Sequence, residues 1–375
     1  MSVALIEERR GEWCRRLEGF RQESLEFCPE FPEIARRWES WWRFAADRPL
    51  VVAELREPGS PPGSKGLSLL DQPEAWLKSR RKQLAATRCF GEALPLIRVD
   101  IGPVATAAFL GAPLHLADRQ ETTWQDPLIT EWEAAPALVY DPENPWLVRV
   151  MNLMERLAAD ARGRYLVCLP DLTGSIDALA NLRSPEAFCL DLFENRESVV
   201  VAAARVVDAW EAVYSRMYDC VTGAGAGILQ WVCSWSDSPY TVPTCDFNAL
   251  IGERDFREVC LPSLEEQARR AGRCVFHLDG PDAVRHSTAL AQARHITAVQ
   301  FTPGAGTPSA LAHLDRFREL QAHGKPLFLV CPLAEARELA QQLDPGGLAL
   351  WIEDPHGGRE MDDLLEWRDR NFPKS

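Results

Sequence analysis

Short apolar runs, each closed by polar or turn residues, recur from residue 49 to the end of the chain. They occupy residues 49–55, 94–101, 165–172, 227–235, 274–280, 296–304, 326–333 and 348–355. They are rich in Val, Ile, Leu and Phe and are too short for ordinary helices. Near-continuous apolarity implies strands covered on both faces, as in a parallel sheet. The segments between them carry helix start and stop signals. Residues 253–271 end before Gly272, 281–294 open with proline and an acid, and 308–323 follow Thr307 as N-cap and end before Gly324. Residues 183–218 have room for two helices. Residues 1–48 read as helical, with Trp38, Trp41 and Trp42 at a packing spacing. Eight strands alternating with helices predict an α/β fold, a (β/α)8 TIM barrel over 49–375 with an N-terminal helical extension over 1–48. An open doubly wound sheet is the alternative, since the first two strands carry the weakest patterns. Residues 57–64 are turn-rich and read as an exposed loop.

Composition narrows the function. The chain has 375 residues, 46% hydrophobic and 26% charged, and a net charge of −14. That sign excludes general nucleic-acid binding. No run is long and apolar enough for a signal peptide or a membrane span. The eleven cysteines form no C-x-x-C pair and read as free thiols, so the cytoplasm is the expected location.

In a barrel, chemistry gathers where strands end. Those ends supply Asp100, Asp171, Trp235, His277, Asp279, Gln300, Cys331 and, in the last loop, His356. His277 and Asp279 stand at i and i+2 on one strand, so they face one side and can share a ligand, a metal or a proton. The competing reading makes Asp279 a helix cap and His277 a partner of the neighbouring strand. Asp246 either positions a substrate or caps a turn, and adjacent Cys245 reads as a buried thiol. Gly304 and Gly306 either present amides to an anion or form an ordinary turn. Residues 223–227 (GAGAG) precede a strand and so fail as a dinucleotide fingerprint. No H-E-x-x-H, P-loop or G-x-S-x-G pattern occurs, and His115, His286, His295, His313 and His323 lack convergent partners.

From Trp38 onward the chain resembles the uroporphyrinogen decarboxylase superfamily. The resemblance rests on Asp47-Arg48-Pro49, Val99-Asp100-Ile101-Gly102 with Leu110-Gly111, and Asp171-Leu172-Thr173-Gly174-Ser175-Ile176-Asp177. It continues in Cys245-Asp246-Phe247, Phe276-His277-Leu278-Asp279-Gly280-Pro281 and Gln300-Phe301-Thr302-Pro303-Gly304-Ala305-Gly306. It implies a (β/α)8 fold and two chemistries. The first is a methyltransferase moving a one-carbon group between a corrinoid partner protein and a thiol, assisted by zinc. Such enzymes hold zinc with a His-x-Cys pair and a distant cysteine. Here His277 matches the histidine, Asp279 replaces the first cysteine, and Cys331 or His356 would complete the set. The second is a cofactor-free decarboxylase acting on a tetrapyrrole or smaller carboxylated substrate, with Asp100 as the central carboxylate. The arginine-rich N-terminal motif of true decarboxylases is missing. A barrel that binds a tetrapyrrole or corrinoid without turnover is a third reading. The resemblance thus assigns catalysis to Asp100, His277, Asp279 and His356, substrate contact to Asp171, Trp235, Asp246, Gln300, Gly304 and Gly306, and metal ligation to His277, Asp279 and Cys331. The expected partner is a small molecule, with no membrane, and a homodimer is among the assemblies the reading admits.

Overall fold

A computed structural model describes residues 3–57, 59, 65–117 and 122–373. Of the loop expected at 57–64, residues 58 and 60–64 lie outside the described residues. The strands in chain order are β1 (Leu50–Arg56), β2 (Thr87–Gly91), β3 (Leu96–Arg98), β4 (Leu114–Ala117), β5 (Thr122–Gln125) and β6 (Leu166–Cys168), then β7 (Ile228–Leu229), β8 (Tyr240–Thr241), β9 (Arg273–Asp279), β10 (Ala298–Thr302), β11 (Leu327–Cys331) and β12 (Leu348–Ile352). Each of the eight apolar runs holds one of them, namely β1, β3, β6, β7, β9, β10, β11 and β12. Helices intervene, including Pro145–Ala161, Pro185–Glu194 and Arg196–Gly223. The fold is mixed α/β around a central parallel sheet.

The ladders form two arcs. One runs β2-β1-β12-β11-β10-β9-β8 and the other β3-β6-β7, with β4 and β5 as a separate hairpin. The first and last apolar strands, β1 and β12, pair in parallel. The single closed ring expected of a (β/α)8 barrel is not what these hydrogen bonds make. The cause is local. The free edge of β1 is taken by antiparallel β2, so β3 has no edge to join there. At the other seam β7 is only two residues long. Gly91 ends β2 with φ +64, and a Cβ there would sit 2.1 Å from the Val51 carbonyl oxygen. Only glycine allows that close pairing.

The helices Val3–Phe20 and Phe31–Trp42 cover the N-terminal ends of the strands. Trp38 and Trp41 are fully buried and pack against Phe328 near the start of β11. The Trp41 indole N–H donates to the Leu327 carbonyl. These tryptophans pack, as their spacing predicts. The opposite, C-terminal, ends of the strands are left for chemistry. Among the described residues no helix is long and apolar enough to cross a membrane.

Candidate functional site

Register builds the site. Chain segment 240–244 runs parallel to β9, with Tyr240 opposite Arg273, Thr241 opposite Cys274 and Thr244 opposite His277. The His277 amide donates to the Pro243 carbonyl (3.1 Å). Continuing the same offset carries Asp246 to the level of Asp279, two residues beyond His277 and on the same face. The ligand atoms of Asp246, His277 and Asp279 all lie within 4.8 Å of one another.

Each member is held differently. His277 is 8% exposed. Its Nδ1 donates to Oε1 of Gln300, its neighbour on β10, and Gln300 Nε2 donates in turn to Thr302 Oγ1 (2.7 Å). Trp231 meets the imidazole edge-on, centroids 4.8 Å apart. Burial lowers the His277 pKa, against the opposing effects of Gln300, Asp279 and Asp177. The ring is therefore a neutral imidazole with Nδ1–H engaged and Nε2 without a hydrogen-bond partner among the described residues, the form that binds metals. Asp279 precedes the helical turn Gly280–Ala283 yet makes no capping hydrogen bond among the described residues.

Asp246 is placed by its backbone. Asp177, on helix Ser175–Arg183, accepts from the amides of Asp246 (2.9 Å) and Phe247 (3.1 Å) and from the Thr244 hydroxyl (2.5 Å). That helix can approach because Gly174 has no side chain. A Cβ there would lie 1.9 Å from the Thr244 carbonyl oxygen. Among the described residues the Asp246 carboxyl makes no side-chain hydrogen bond. It is open to solvent at its tip, yet the protein around it and the charges of Asp177, Asp279 and Asp171 raise its pKa to about 8. Asp171 is pushed up to about 7, first by burial and then by Asp177 and Asp100, although it accepts the Thr173 amide. The strand ends thus gather Asp246, Asp279, Asp177 and Asp171, of which Asp171 feels Arg98, and a divalent ion would relieve the like charge at Asp246 and Asp279.

Other expected residues fall elsewhere. Gln300 is 1% exposed and orients His277, so it is a positioning residue and not a substrate contact. Trp235 is fully buried against Phe20 and Phe31. It is a packing residue, its apolar ring having been taken up by the N-terminal helices. Cys331 is buried and stands outside the ligand cluster, its thiol raised by burial and by Glu335, Glu353 and Asp354. The third residue whose ligand atom converges with those of His277 and Asp279 is Asp246. His356 is 74% exposed and 3.9 Å from Asp354 in its own loop, also outside the cluster. Gly304 and Gly306 form a plain turn closed by the Thr307 amide on the Gly304 carbonyl. The Thr307 hydroxyl donates to that same oxygen and caps no helix. Asp100 accepts the Gly102 amide (2.7 Å) and faces Lys65 at 3.9 Å. Cys245 is buried and its pKa is raised, so it is an inert thiol.

Neither a family model nor a curated protein sequence matches the chain. In structure the chain is similar to a methyltransferase from Methanosarcina mazei. The TM-score is 0.60 at 12% identity, over 90% of this chain and 99% of that one. At this identity the likeness speaks for the fold.

Proposed function

We propose that this protein is a methyltransferase whose site holds one divalent cation, zinc, on His277, Asp246 and Asp279. The observation that carries the reading is the convergence of one imidazole nitrogen and two carboxylates within 4.8 Å at a strand end. Such a set suits a zinc site that keeps a position open for substrate. The likeness in fold to a methyltransferase supports the choice of reaction and lends nothing to the decarboxylase alternative.

A cation bound there would supply Lewis acidity, lowering the pKa of an incoming thiol. The chain's own residues do the rest. Burial keeps the imidazole neutral, and Gln300 keeps it aimed. Asp177 holds the Asp246 backbone at the level of Asp279. Asp171, with a pKa near 7, exchanges a proton at neutral pH. The methyl donor in this reading is a corrinoid carried by a partner protein, and the acceptor is a small thiol.

Metal analysis of purified protein tests the reading, alongside methyl transfer from methylcobalamin to a thiol. About one zinc per chain is expected, lost in His277→Ala and sharply weakened in Asp246→Asn, with transfer lost in parallel. Full transfer activity in metal-stripped protein would overturn it.

A further inference from the structure

The seam between the two arcs is a cavity. Antiparallel β2 holds β3 away from β1, and the space left encloses about 360 Å³. Its charged lining comes from Arg56, Lys65, Arg80 and Arg98, with Glu54 and Asp100. Arg80 aside, three cations stand against two carboxylates there, a local positive surplus in a protein of net charge −14.

Arg98 makes no hydrogen bond to a carboxylate among the described residues, although the charges of Asp100 and Glu54 reach it. Its Nε donates to Cys168 Sγ (3.3 Å) and its Nη2 to the Trp231 carbonyl (2.6 Å) and Cys233 Sγ (3.8 Å). Thiols and a carbonyl do not neutralise a guanidinium. Its Nη1 has no hydrogen-bond partner among the described residues. Lys65 meets Asp100 only at 3.9 Å, a loose pair. Glu54 is exposed on the cavity wall and stands near Arg98 and Arg56, whose charges oppose the desolvation that raises its pKa. A partly enclosed space on which Arg56, Lys65 and Arg98 converge is a receptor for planar or tetrahedral oxyanions.

The cavity adjoins the His277 site. Arg98 and Asp100 act electrostatically on Asp171, and Asp171 acts on Asp246. Trp231, whose carbonyl anchors Arg98, also stacks edge-on against His277.

We infer that this cavity is the recognition pocket for an anionic small-molecule substrate, one bearing a dianionic phosphate or a pair of carboxylates, whose remainder extends toward His277. The inference rests on the methyltransferase reading for the direction of the substrate and not for the anion site itself.

Calorimetric titration of the full chain at constant ionic strength tests it, with inorganic phosphate and succinate as probes. One probe is expected to bind saturably, and which one identifies the anionic group. Arg56→Ala and Lys65→Ala, both reaching solvent, are each expected to weaken that binding by about tenfold or more. Asp100→Asn keeps the acceptor for the Gly102 amide and removes a wall charge, so binding tightens. Arg318→Ala, the same charge change outside this cavity, leaves it unaltered. His277→Ala retains anion binding. Loss of methyl transfer and metal in that variant, with anion binding intact, separates the two sites. Absence of saturable binding for both probes overturns the inference, and so does binding that Arg56→Ala and Lys65→Ala leave intact.

Discussion

His277 illustrates how one side chain is tuned by its strand neighbours. Burial keeps it neutral, and the bond to Gln300 fixes which nitrogen carries the proton. Removing that acceptor frees the ring to rotate and to switch tautomer. Gln300→Leu is therefore expected to lower metal affinity by about 10- to 100-fold with little loss of stability. Gln300→Glu, which restores an acceptor, should recover much of it. Competition with a chromophoric chelator reads both. Equal affinity in Gln300→Leu and the parent would remove Gln300 from the site. Asp171 gives a prediction in pH. Its pKa rises from 3.8 to about 7 on folding, so the native state binds the proton more tightly than the unfolded chain. Its contribution is favourable below about pH 4 and is lost as pH rises toward 7. Asp171→Asn keeps the acceptor for the Thr173 amide and carries no charge. With partial exposure discounted, it should be about 2 kcal/mol more stable than the parent at pH 8. The gap should close at acidic pH. Urea unfolding at pH 5 and pH 8 checks the sign, and a gap that widened on acidification would refute it.

At the scale of elements, the site was half legible in the sequence. The i, i+2 pairing of His277 and Asp279 follows from strand periodicity alone, and β9 is where the apolar pattern places it. Asp246 as a ligand was not legible, because it depends on the register between segment 240–246 and β9. Only two residues of that segment form a strand, too few to show a pattern. The signal that would have found it is the constant offset of 33 from Tyr240–Arg273 to Thr244–His277. Cys331 illustrates the converse, since a cysteine at a strand end looks like a ligand until its surroundings are known. Asp177 then carries a prediction of its own. It satisfies three donors in the 244–247 segment, while its own burial raises its pKa against those bonds and His277. The lost acceptors outweigh the relieved charge. Asp177→Ala should cost about 2–4 kcal/mol and weaken metal binding as well, because Asp246 loses its support. Asp177→Asn retains one acceptor oxygen and should fall between. Thermal unfolding and metal titration on the same samples would expose a variant that loses stability but not affinity, which would refute the positioning role.

Across the whole molecule, alternation of apolar runs and helices gave the eight strands and their parallel sense, because burial on both faces leaves a plain compositional trace. Closure left no such trace. It turned on β2, a strand with an ordinary mixed sequence that captures the edge of β1, and that capture both splits the sheet and opens the cavity. What holds the N-terminal helices, β1 and the C-terminal helix together is equally silent in the sequence. Glu92 is fully buried. It accepts from Arg37 (3.0 Å) on helix Phe31–Trp42, from Arg368 (2.9 Å) on helix Gly358–Asn371, and from the Val51 amide (2.8 Å). One carboxylate thus joins three segments remote in sequence. Glu92→Gln keeps an acceptor for the Val51 amide but leaves two guanidinium groups facing a neutral amide. Arg37 retains Glu33, and Arg368 retains Asp369, so the cost should be about 3 kcal/mol, at the low end for a broken buried pair. Glu92→Leu also strands the Val51 amide and should cost more. The Trp38 indole, which donates to the Glu92 carbonyl, reports the change in fluorescence-monitored unfolding. Because this clamp lies at the strand ends opposite the His277 cluster, metal affinity of the folded fraction should be unchanged in Glu92→Gln. A fall in affinity at full folding would mean that the two ends of the sheet are mechanically coupled and that the clamp does more than hold the fold.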